Sequence, residues 1–328
     1  MRRGIGLVVA VMAMWACTAQ QGNMKTASGL VQRKFQTEID GKSTDLFRLT
    51  NASGMEVCVT NYGGRIVSIL VPDRKGVMRD VVLGFDNIAA YQKHSSNYGA
   101  TIGRYANRIA KGRFVLDGDT IQLDLNDKLG NNMHGGEPGW AYRVFDAVQK
   151  DSATLVLTYV SPDGESHFPG TVQVEVAYHL TDDNALDIAY TAVTDRPTVI
   201  NMTNHSFFNL SGKPSTAITD HIMWMAADSV MTIDSTVVPT GNFMAVQGTP
   251  FDFTEAKPIG QAIDSVENNQ IRYGLGYNHN WVLRSEDRDK PVASLYSPVS
   301  GILLEILTDE PCMREKACCL SLSWCYLS

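Results

Sequence analysis

Between Thr18 and Pro311 the chain has a single cysteine, Cys58, so the main body folds without a disulfide framework. It also lacks any Lys/Arg-rich block, and its net charge is −7. Together these exclude the electrostatic footprint of a nucleic-acid or anionic-membrane surface. A neutral or polar small molecule is the better partner. No His-x-His or His-Glu-x-x-His spacing occurs, and His134, His205 and His279 have no cysteine or acidic residue beside them, so no metal and no other cofactor is expected. A glycine-rich phosphate loop, an internal repeat, a low-complexity tract and a Pro/Ser-rich linker after residue 33 are likewise missing. The absences leave acid/base chemistry on an uncharged substrate.

The first apolar run, in "MRRGIGLVVAVMAMWAC", is too short and wrongly flanked for a membrane span. Two arginines, a short hydrophobic stretch and Ala16-Cys17 have the layout of an export signal over 1–17, and Ala-Cys resembles a bacterial lipoprotein cleavage site. The expectation is an exported protein, lipid-anchored at Cys17 or simply secreted to the periplasm. Residues 18–33 then read as a polar tether, and 34–311 as the folded part.

What is present is period-2 alternation. Val172, Val174, Val176 and Tyr178 share one strand face, and Leu186, Ile188 and Tyr190 share a face of the next strand, across the turn-like "TDDN". Helical periodicity is confined to pieces such as "DNIAAYQKH", where Asp86 is the expected cap. With 328 residues, 44% of them hydrophobic, one large antiparallel β-sandwich, all-β in class, is the natural reading.

Four segments hold groups suited to a polar ligand. In "PTVINMTNHSFFNLSG", a strand over 199–210 would put Ile200, Met202 and Phe208 on one face and Asn201, Thr203, His205, Phe207 and Asn209 on the other. The second face mixes hydrogen-bonding groups with a flat ring, as a sugar cleft requires; the alternative is a half-buried strand whose His205 meets a loop carbonyl. In "GRYANRIAKGRF", Asn107 and the planar fork of Arg108 suit vicinal hydroxyls or a carboxylate, against the alternative of a solvated basic loop. In "NNMHGG", His134 precedes two glycines able to take positive φ and bring the backbone close to a ligand, or simply to turn. In "GYNHNWVL", Asn278 and His279 enter a buried strand.

Taken in order, "NYGGRI", "GRYANRIAKGRF", "NNMHGG", "SPDGESHFPG", "TNHSFFNLSG", "VPTG", "PFDF" and "GYNHNWVL" resemble the aldose 1-epimerases, or galactose mutarotases, over about 45–311. The resemblance implies a large antiparallel β-sandwich that interconverts the α and β anomers of free hexoses such as glucose or galactose. It makes His205 the general acid, a role that suits an unperturbed pKa of about 6.5. It places His134 near the sugar ring, and Asn107, Arg108 and Asn278 on hydroxyls. Two departures stand out. Asn278 occupies a position where the family carries an aspartate, which weakens binding without abolishing it. After "TDEP" the family continues with Gly-x-Gln-x-Tyr and, later, a glutamate that acts as base, whereas here "CMREKACCLSLSWCYLS" follows. Residues 312–328 therefore read as an atypical Cys-rich tail left by a shifted frame or truncation, with a zinc knot or a disulfide staple as rivals. A chain with the acid but not the base is expected to turn over poorly, or to serve as a non-catalytic carbohydrate-binding sandwich.

Overall fold

Alternating Val, Leu and Ile in runs bounded by Gly, Asn and Asp produce a β-rich fold with two short α-helices in the computed structural model, which describes residues 24–94, 96–284, 289–316 and 319–320. The expected signal at 1–17 lies outside the described residues, as do Cys318 and Cys325. A first antiparallel sheet runs in the order β1 (Leu46–Thr50), β2 (Glu56–Thr60), β3 (Arg65–Pro72), β4 (Met78–Asp80). Every residue of β2 is buried. The reason is cover on both faces: Val57 and Val59 enter the main core, while Cys58 packs with Phe35, Leu46 and Tyr91 in a second cluster.

That second cluster corrects the tether reading. From Met24 onward the described chain is docked, with Lys25 bridged to Val31 and Thr26 buried. The amides of Ala27 and Ser28 donate to the Glu56 carboxylate at 3.1 and 3.2 Å. Asp86 is also not the helix cap: Asn87 Oδ1 accepts from the Ala90 amide at 2.7 Å to start the helix Ile88–Lys93, and Asp86 pairs instead with Lys34.

Two short pairs follow, β5 (Ala100–Ile102), later joined by a strand at 203–205, and β6 (Arg108–Ile109) with β7 (Asn132–Met133). The next sheet has the order β8 (Asp146–Gln149), β9 (Thr154–Ser161), β10 (Val172–Leu180), β11 (Leu186–Thr194). In β10, Val172, Val174, Val176, Tyr178 and Leu180 are buried while alternate residues are not, as the sequence pattern requires. Leu180 pairs with Leu186 across the hairpin. Between Val199 and Leu210 the ladder is shorter than expected: only β12 (Thr203–His205) is a strand, paired with β5, because isolated bridges at Asn201 and Phe208 hold the flanks to other segments.

The remaining sheets contain β13 (Ile222–Met225), β14 (Ala227–Ile233), β15 (Pro239–Ala245), β16 (Asn278–Leu283), β17 (Ala293–Tyr296), β18 (Leu303–Ile306) and β19 (Cys312–Lys316). β16 lies between β14 and β19. The start of the expected foreign tail is thus a strand of this sheet, with Cys312 paired to Val282 and Met313 to Trp281. Met313 is 2% exposed and belongs to the main core, and Cys312 is buried against Met231 and Val282. Side chains from all the long sheets meet in that one core, the arrangement of a sandwich.

Candidate active site

Backbone contact too close for any side chain brings the loops of the site together. A Cβ on Gly103 would lie 1.9 Å from the Trp140 ring, and one on Gly135 would lie 2.1 Å from the Gly103 carbonyl oxygen. Gly135 and Gly136 have φ of +83° and +84°, as "HGG" suggests, and His134 itself (+55°) and Asn107 (+65°) are left-handed as well. Those two residues are locked reciprocally. The His134 amide donates to the Asn107 carbonyl at 2.9 Å, and the Asn107 amide donates to His134 Nδ1 at 3.1 Å. An amide donor on Nδ1 leaves the proton of a neutral His134 on Nε2.

His205 arrives from β12, a separate part of the chain, and meets His134 edge to face with ring centroids 5.1 Å apart. The Phe207 ring also packs on His205, with centroids 4.9 Å apart, and Tyr98 packs edge-on against Phe207. His205 is 6% exposed and Asn107 7%. The Asn107 Oδ1 is buried with no partner among the described residues.

Arg108 is fixed through Nε, which donates to Asp127 Oδ2 at 2.6 Å, and its register partner is Met133, next to His134. The basic loop is not solvated as a whole. Arg104 is 1% exposed and donates to the Ser161 hydroxyl and to the carbonyls of Ser161, Pro162 and Pro169. Sequence reasoning passed over Glu165, which accepts from Trp140 Nε1 (3.2 Å), Arg143 Nε (2.8 Å), the Tyr159 hydroxyl (2.6 Å) and the Ser161 hydroxyl. Glu165 therefore braces the Trp140 ring on which Gly103 rests. The signal was the acid within "SPDGESHFPG", which alternation cannot interpret because its partners are remote in sequence.

Asn278 lies on β16, in another sheet, and its Oδ1 already accepts from Arg314 Nε (3.2 Å) and Nη2 (2.6 Å). Both lone pairs of that oxygen thus face Arg314, and the Nδ2 donors are what Asn278 has left to offer a ligand. The neighbouring His279 is fully buried, its Nδ1 accepting from the Asn278 amide and its Nε2 facing Gln270 Oε1 at 3.2 Å. Burial, with Arg314 adding to it, lowers the His279 pKa to about 3.

Above pH 6.5 that histidine is neutral folded or unfolded and costs nothing. As pH falls from 6.5 toward 3 the unfolded chain takes a proton that the native site refuses, so stability is lost across that window, by on the order of 5 kcal/mol. Urea midpoints measured between pH 7 and 4 are expected to fall, and His279→Gln to flatten the fall. A wild-type slope in that variant would remove His279 as its cause.

Against this geometry, the family model for aldose 1-epimerase matches residues 45–314. The chain belongs to the aldose 1-epimerase family. It is 34% identical over 276 residues to the aldose 1-epimerase of Escherichia coli K12, covering 84% of this chain and 79% of that protein. To the galactose mutarotase of Rattus norvegicus it is 37% identical over 275 residues, covering 83% and 76%. Among solved structures, the galactose 1-epimerase of Lactobacillus acidophilus NCFM superposes with a TM-score of 0.75 at 31% identity, over 85% of this chain and 80% of that one. An aldose epimerase homologue from C. elegans superposes at 0.78 with 26% identity, over 85% and 89%. The all-β sandwich expected from alternation is thus the fold of this epimerase family.

Proposed function

We propose that the His134–His205 pair is a sugar site at which the α and β anomers of a free aldose exchange through the open-chain form. The observation that carries this reading is the 5.1 Å edge-to-face contact between two histidines delivered by separate segments, one of them with its tautomer set by a backbone amide. His205 would give a proton to the ring oxygen while a base removes the proton of the C1 hydroxyl. The C1–O5 bond breaks, rotation about C1–C2 exposes the other carbonyl face, and the reverse transfers close the ring. His134, with Nε2–H as donor, would hold the sugar beside the ring oxygen. Asn107 Oδ1 supplies a buried acceptor that a sugar hydroxyl would satisfy, and Phe207 a flat apolar wall. Hexoses such as galactose and glucose fit this set of groups.

Calorimetric titration tests the site: His134→Ala and Arg108→Lys should each raise the sugar Kd about tenfold, since lysine keeps the charge facing Asp127 but loses the fork. Unchanged affinity in both variants would place the cleft elsewhere. The export reading of residues 1–17 is proposed with it, and Cys17→Ala should release an envelope-bound protein; unaltered membrane association would refute the lipid anchor.

A further inference from the structure

One buried carboxylate stands behind the loop that carries His134. Glu165 opens the turn Glu165–His167, and its side chain is only 6% exposed. Ser166 and His167, neither of them a glycine, have φ of +49° and +68°, a conformation such residues keep only where their surroundings impose it. The carboxylate supplies that constraint by gathering four donors, Trp140 and Arg143 from one loop and Tyr159 and Ser161 from β9. Its acceptor sites are thereby filled, and none is left for a ligand.

Two of these bonds lead to one place. Oε2 holds the Trp140 indole, whose ring lies against the Gly103 backbone and whose amide donates to the Gly103 carbonyl at 3.3 Å. The same oxygen holds the Ser161 hydroxyl, which accepts from Arg104 Nε at 2.8 Å. Residues 103 and 104 are thus fixed by Glu165 along two routes. On their backbone the His134 loop closes, since a Cβ on Gly135 would lie 2.1 Å from the Gly103 carbonyl oxygen and 2.6 Å from the Arg104 amide nitrogen. Ser166 meets that loop directly: a Cβ on Gly136 would lie 3.0 Å from its own. Contacts this close leave the loop no freedom to slide while residues 103 and 104 stay where they are.

We propose that Glu165 is the positioning residue for His134, setting where the imidazole meets the sugar without contact to either. The inference rests on the reading of the His134–His205 pair as the sugar site. A carboxylate that only held the sandwich together would change stability when altered, and would leave the surroundings of one imidazole as they were.

Glu165→Gln keeps the shape but sets an amide N–H2 against donors. The test records NMR spectra of the imidazole nitrogens and calorimetric titrations with D-galactose, on the full chain, for the unaltered protein, Glu165→Gln, Trp140→Phe and the double variant. Glu165→Gln is expected to shift the His134 signals, to leave those of His279 in the β14–β16–β19 sheet unmoved, and to raise the galactose Kd about fivefold. Trp140→Phe, which loses the N–H that Oε2 holds, should do the same, and it still reads the link if Glu165→Gln fails to fold. The double variant should be little worse than either, because both changes cut one chain of contacts. Unmoved His134 signals, an unchanged Kd in the folded single variants, or effects that multiply in full in the double variant would overturn the proposal and leave the sugar site standing. Absence of galactose binding by the unaltered protein would instead overturn the sugar site, and this inference with it.

Discussion

His205→Asn is expected to lower the rate of anomer exchange by about 10²–10⁴-fold, the usual contribution of a positioned general acid. The comparison is made by following the optical rotation of freshly dissolved α-D-galactose. Asparagine retains hydrogen-bonding groups at the position but has no titratable proton to give the ring oxygen. The backbone of β12, which pairs His205 with Ala100, is untouched, so circular dichroism and thermal midpoint should stay near those of the parent. The loss should appear in kcat, since the proton moves only in the transition state. A variant keeping more than about a tenth of the rate would remove His205 from this role.

The second large effect concerns β19. Met313 pairs in register with Trp281 and is buried in the main core. Met313→Ala should cost about 2–5 kcal/mol of unfolding free energy, for the lost transfer of its side chain and for the cavity left beside Trp281. Met313→Asp, which buries a charge in the same place, should prevent stable folding. Urea denaturation measures both. A change below about 0.5 kcal/mol for the alanine variant would mean that residues 312–316 are peripheral after all.

The parts of the fold legible in the sequence were those set by local periodicity. The hairpin of β10 and β11 could be read residue by residue, since one face is buried and a slip of one would turn every valine outward. The candidate histidines stood out as members of motifs, and the glycines after His134 were legible as positions of close approach. What escaped was anything fixed by partners distant in the chain. Asn87 rather than Asp86 caps its helix because Lys34, more than fifty residues earlier, draws Asp86 away. Residues 24–33 looked like a tether because their polar composition hides a docking made through backbone amides on Glu56. Composition also made "CMREK" look foreign, although its second and third residues present one apolar side chain to the core and one arginine to Asn278. Alternation was there, over too few residues to weigh against the cysteines that follow.

If His134 and His205 form an epimerase site, anomer exchange must depend on both. Optical rotation of freshly dissolved α-D-galactose is to be followed with three proteins: the unaltered chain, His205→Asn and His134→Ala. Equilibration by His205→Asn is expected to be slower than by the unaltered chain by about 100-fold or more, and His134→Ala to need more galactose for half its maximal rate. Equilibration at one rate and one galactose dependence with all three would mean that neither histidine takes part.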